Sequence, residues 1–156
     1  MIRKLAVGAL ALGIVAGLTG GTAYVAFAQA DVIKARQDNR KEITRIGGRE
    51  IRQIINDNGN LNELAVKADR LVELHKAFGT MFPPGSDKGD TLAAPTIWTD
   101  RAGFDAINKK AVDGAARMAE LARAGDRAGV ADQFKALGGT CGECHQKYAT
   151  KDPFKK

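Results

Sequence analysis

ALGGTCGECHQKYA, residues 136–149, is the stretch on which the reading of this chain turns. It holds the only two cysteines, Cys141 and Cys144, and one of the two histidines, His145. The spacing C-x-x-C-H lays two thiols and an imidazole over slightly more than one turn of helix. Several chemistries compete for such a set. Zinc normally takes four ligands, and His75 is the only other soft donor of this kind in the chain. A redox dithiol belongs in a βαβ setting, which the surrounding pattern lacks. A disulfide within one helix would constrain little and leave His145 unexplained.

The reading that employs all three side chains is covalent attachment of a c-type haem. The two cysteines form thioethers with the vinyl groups, and the adjacent histidine becomes the axial iron ligand. The expected cofactor is one haem c, held through Cys141 and Cys144, with His145 on the metal. Cys141 and His145 are four apart on the apolar face of the last helix, so the haem would lie inside a helical bundle. Gly138 and Gly139, one turn earlier, leave room for the macrocycle.

Working back towards the N-terminus, four segments have helical periodicity. Residues 127–150 carry Val130, Phe134, Leu137, Cys141, Cys144/His145 and Tyr148 on one stripe, with Pro153 as the expected stop. Residues 100–124 repeat Phe104, Ile107, Ala111, Ala115, Met118 and Leu121. The second segment starts at Asn60, with Glu63 placed like a capping-box partner, and runs through Leu64, Ala68, Leu71 and His75 as the cleanest amphipathic helix. The first covers 31–58 on a thin isoleucine stripe and is interrupted by Gly47-Gly48, which cost about 1 kcal/mol each in a helix; a close approach or a bend is expected there. Residues 79–99 carry three of the four prolines and no period. A connection of that length in a compact domain is usually functional. The fold class is therefore all-α, an antiparallel four-helix bundle with a C-terminal haem-attachment helix.

The first thirty residues read separately. Arg3 and Lys4 precede an uncharged run over 5–28, and Ala28-Gln29-Ala30 offers small residues just before Asp31. That is the order of a secretory signal peptide. The uncharged run is also long enough to span a bilayer, but its five glycines and the A-x-A site favour cleavage. Residues 1–30 are taken as signal and 31–156 as the domain, which lowers the net charge from +6 to +4 because every acidic residue lies at or beyond Asp31. The signal implies an exported, oxidising compartment, with no membrane association after cleavage. Aromatics interleaved with charge are too few for nucleic-acid binding.

On these residues the chain resembles the class II c-type cytochromes, the cytochrome c′ family with its low-spin relatives. DVIKARQDNRKEI (31–43) resembles that family's first helix, MFPPGSDKGDTLAAPTIWTDRAGFDA (81–106) its loop and third-helix entry, and GGTCGECHQKY (138–148) its haem helix. The resemblance implies one covalent haem, a periplasmic location and often a homodimer, with roles in electron transfer or in binding nitric oxide or carbon monoxide. Cys141, Cys144 and His145 match the family's attachment residues, and Arg36 matches an arginine that pairs with a haem propionate. A guanidinium suits that role because it meets a carboxylate bidentately.

Two departures stand out. Arg40 occupies the position from which low-spin members present a methionine to the iron, and a guanidinium does not normally ligate. The first helix therefore supplies no evident sixth ligand, and a five-coordinate or weakly solvated iron is expected, with Arg40 near the distal pocket or folded back to a propionate, or turned into water by a small rotation of the helix. Ala149 stands where many relatives carry a basic residue beside the proximal histidine. Phe82, Trp98 and Tyr148 are expected to pack against the haem, and Tyr148 needs a hydroxyl partner if buried. His75 reads as a core or boundary residue and Met118 as core, while Met81, in the loop beside Phe82, is expected to cover the haem edge; Met81 and His75 are the candidate sixth ligands should the iron be low-spin. Lys147, Lys151, Lys155 and Lys156 could steer an acidic redox partner. The function expected is electron transfer through Fe(III)/Fe(II), with gas binding as the alternative. No enzyme is expected, because peroxidase-like chemistry needs a distal acid–base pair and only Arg40 is at hand.

Overall fold

The computed structural model of the chain describes residues 20–151. Residues 1–19 of the expected signal segment, Pro153, Lys155 and Lys156 lie outside the described residues. Helix α1 spans Gly20–Ile43, beginning ahead of the expected start at Asp31. No glycine or proline interrupts 22–43, so nothing in the backbone chemistry stops the helix at the expected cleavage point. At Thr44 the helix widens into a π-helical stretch, Thr44–Ile51, and returns to α geometry in α2, Arg52–Asn56. The strain expected at Gly47-Gly48 is thus a change of helix type. A Cβ on Gly47 would lie 3.5 Å from Leu71, an ordinary contact, so packing alone does not demand glycine there. Wide π turns collect at functional sites, and both glycines face the cavity described below.

Asn58 turns the chain through the left-handed region, at φ 49°, a conformation asparagine tolerates better than most residues. Asn60 then caps α3, Leu61–Thr80, by accepting from the Asn62 amide at 2.8 Å. Glu63 pairs with Lys67 at 3.4 Å. Residues 81–95 form an irregular strap that ends in the single turn α4, Thr96–Thr99. Asp100 caps α5, Arg101–Arg123, and Asp126 caps α6, Arg127–Tyr148, each accepting an amide hydrogen three residues on.

Helix α6 ends at Tyr148, ahead of the stop expected at Pro153. The strap is the cause. The Ala94 amide donates to the Tyr148 carbonyl at 3.0 Å and the Thr150 amide to the Leu92 carbonyl at 2.9 Å. These bonds draw Ala149 into extended backbone opposite Ala93.

Helices α3, α5 and α6 pack in sequence, and α1 with its π stretch lies on α3. Together α1–α2, α3, α5 and α6 make the four-helix bundle read from the sequence. Burial of the apolar stripes drives this, at about 1.5–3 kcal/mol for each fully buried large side chain. The core has two parts. One gathers Leu64, Leu71, Met118 and Val130. The other gathers Phe82, Ile97, Phe104, Ile107 and Tyr148 where the strap crosses the bundle. Among the described residues no helix is long and apolar enough to cross a membrane.

Candidate functional site

A cavity of about 1130 Å³ opens where the two parts of the core meet, with α1 and the π stretch on one side and α6 on the other. Its size suits a large ligand. Cys141, Cys144 and His145 all line it, and both thiols are free. Burial raises the Cys141 thiol above its usual range and pushes Cys144 up to about 11, with Cys141 and Glu143 adding to the second shift. Among the described residues no three His, Cys, Asp or Glu side chains converge as a metal-binding group. The set is spread along a helix edge. A Cβ on Gly138, Gly139 or Gly142 would meet nothing within 4 Å. Helix interiors lose roughly 1 kcal/mol per glycine, and no crowding within the polypeptide explains these three, of which Gly138 and Gly142 line the cavity.

Arg36 lines the same cavity and is only 4% exposed. Its guanidinium donates to the Ser86 carbonyl at 2.7 Å and Ser86 Oγ at 3.2 Å, with longer bonds to the Met81 carbonyl and Thr91 Oγ1. It also stacks 4.8 Å over the Phe82 ring. All four acceptors are neutral, and burial pulls the guanidinium below its ordinary pKa. A buried cation without a counter-ion is costly, so the site is one in which an anion would be well received. Ser86 and Thr91, fifty and fifty-five positions from Arg36, escaped the sequence reading because nothing periodic marks them.

The other expected residues divide. Arg40 and Phe82 line the cavity. Tyr148 lines it too, and its hydroxyl donates to Asp100 at 2.7 Å. The Asp100 carboxylate also meets Lys147 at 2.8 Å and is held below the usual carboxylate range, first by Lys147 and then by Tyr148. Gly103 makes this latch possible, since a Cβ there would fall 2.4 Å from both oxygens. Lys147 is thereby engaged with Asp100 on the fold's own surface. Trp98 is not among the residues that line the cavity. Its indole nitrogen donates to the Pro83 carbonyl at 3.0 Å, and its ring backs Phe82 from behind. His75 is buried in α3 yet reaches the cavity wall, and burial pushes it down to about 4. Met81 and Met118 belong to the core clusters and not to the cavity wall.

A family model described as Cytochrome C′ matches residues 31–149. The chain belongs to the cytochrome c′ family. It is 33% identical over 88 residues to a cytochrome c′ of Rhodospirillum rubrum, a match covering 56% of this chain and 60% of that one. That match spans about three fifths of the relative's own length. The solved structure of cytochrome c prime from Shewanella frigidimarina is similar at TM-score 0.72 and 32% identity, over 80% of this chain and 97% of that one. A nitric oxide complex of a variant cytochrome c prime from Alcaligenes xylosoxidans is similar at TM-score 0.72 and 25% identity, over 80% and 97% of the two chains.

Cytochrome c′-family proteins carry covalent haem c, and this member has the two cysteines that attachment uses. The cavity fits the group on three counts: free thiols beside an imidazole, a buried guanidinium short of an anion, and a glycine wall with open space before it.

Proposed function

We propose that this cytochrome c′-family chain is an exported one-electron carrier holding one haem c in the cavity between α1 and α6. The observation that carries the reading is the meeting, in one cavity, of Cys141, Cys144 and His145 with the buried Arg36. Cys141 and Cys144 would hold the haem through thioethers, His145 would ligate its iron, and Arg36 would meet a propionate. Bound haem supplies the Fe(III)/Fe(II) couple. Phe82 and Tyr148 wall the group on the strap side and keep water from it. We read residues 1–30 as a cleaved signal peptide and the periplasm as the location, with an acidic redox protein as partner. A homodimer is part of the proposal. Its support is a similar cytochrome c′, 25% identical over 79% of this chain, whose structure is described by a ligand-controlled dimer dissociation. No catalytic turnover is assigned.

A second reading rests on its own observation. Neither Met81 nor Met118 lines the cavity, so among the described residues no thioether stands ready as sixth ligand; with the His75 imidazole of the wall left off the metal, the iron would be five-coordinate and open to nitric oxide or carbon monoxide. The experiment is the ferrous optical spectrum of purified protein with and without carbon monoxide. A sharp, split low-spin α-band unchanged by the gas supports the six-coordinate carrier and sinks the gas-binding reading. A broad band shifted by carbon monoxide does the reverse. A denaturing gel without a haem-stained band rejects both.

A further inference from the structure

The cavity wall is strongly one-signed. Among the described residues, Arg36, Arg40, Lys41, Arg52, Lys135 and Lys151 line it against a single carboxylate, Asp90. The two propionates of a haem would offset only part of that surplus. Most of these cations have other engagements. Arg36 is clasped by the strap, Lys41 meets Asp38 at 3.1 Å, Lys135 meets Asp132 at 3.6 Å, and Arg52 lies over Phe134 at 5.7 Å. Arg40 differs. It is half-buried on the cavity wall, and its guanidinium makes no hydrogen bond or ion pair to any described residue. Its neighbour Lys34 is tied to Asp38 on the same helix, and Arg45 to Glu42 and Glu50. The one spare fork of donors on this helix therefore faces the cavity that His145 faces from α6.

We propose that Arg40 makes the haem cavity a receptor for small monovalent anions. The inference rests on the haem reading above and adds a ligand class to it. A neutral diatomic gains little from a guanidinium, whereas an anion gains a charge-assisted hydrogen bond in a site of reduced dielectric. The surplus of cations around the mouth also raises the local anion concentration, and salt screens that effect.

The test is titration of the ferric holoprotein with sodium azide at neutral pH, followed in the Soret band, beside Arg40→Leu, Arg40→Gln and Arg40→Lys. Carbon monoxide binding to the ferrous forms serves as the neutral comparison, and a haem-stained denaturing gel reports attachment in each variant. Saturable azide binding is expected, weakened about 10- to 100-fold in Arg40→Leu and Arg40→Gln, the worth of one hydrogen bond to a charged group. Arg40→Lys should retain most of the affinity, and carbon monoxide should bind all variants alike. The proposal is overturned if haem is attached and azide gives no shift, if the Leu and Gln variants bind azide as tightly as the native protein, or if carbon monoxide weakens in parallel. Absence of attached haem in the native protein overturns the haem reading itself and takes this inference with it.

Discussion

Replacement of Arg36 by methionine tests whether the strap and the cavity share one keystone. The guanidinium makes one short bond, to the Ser86 carbonyl at 2.7 Å, one of ordinary length to Ser86 Oγ at 3.2 Å, and two at the edge of significance. Ser86 Oγ keeps a second partner, since it donates to the Pro83 carbonyl at 2.8 Å, but the Ser86 carbonyl is left without its donor. One strong charged hydrogen bond and one weaker bond amount to about 2–4 kcal/mol. Methionine returns about 1 kcal/mol, because its thioether packs on Phe82 and no cation has to be desolvated. The net loss is about 1–3 kcal/mol, or roughly 4–10 °C in Tm for a domain of this size. The assay is urea and thermal unfolding of the holoprotein, paired with limited proteolysis. Cleavage should appear within residues 81–92 in Arg36→Met, and Arg36→Lys should fall between the two because it keeps charge but loses the fork. An unchanged Tm together with an uncleaved strap would refute the reasoning.

Cys141→Ser/Cys144→Ser should abolish the haem-stained band on a denaturing gel, and either single variant should keep one thioether and a weakened band; undiminished staining in the double variant would be contrary. Gly139→Ala should stabilise the holoprotein by about 0.5–1 kcal/mol in urea unfolding, since the added Cβ meets open space and Gly139 is not on the cavity wall. Gly138→Ala, on the wall, should lose that gain in the holoprotein, and equal effects at the two positions would count against the glycine wall as a haem cradle. His75 binds its proton less tightly folded, at about 4, than unfolded, at 6.5. Its effect is therefore absent above pH 6.5 and grows as pH falls towards 4, reaching about 3 kcal/mol of lost stability. His75→Leu should flatten the stability curve across that window, and an unchanged slope would show that another group titrates there.

The parts of this molecule that were legible in its sequence are those governed by short range. Apolar spacing gave α3 and α5 within a residue or so, because a helix stripe needs only neighbours three and four apart. The attachment motif was legible because its chemistry is contained in five consecutive residues. The strap was not. Its bonds to Arg36 span 45 to 55 positions, and its pairing with Ala149 and Thr150 links chain segments more than fifty residues apart. That pairing, and not Pro153, decides where the haem helix ends. The same cause explains Trp98, expected to pack against the haem, whose indole the strap holds behind Phe82. Arg36 and Arg40 make the point most sharply. They are the same residue type one helical turn apart, both on the cavity wall, and no local rule tells them apart. The strap occupies one guanidinium with four neutral oxygens and leaves the other without a partner among the described residues. The cavity's electrostatic character is thus written in residues 81–95 as much as in α1. A change to Ser86 should alter Arg36 without touching Arg40, whereas the anion affinity of the cavity should follow Arg40 and be indifferent to Ser86.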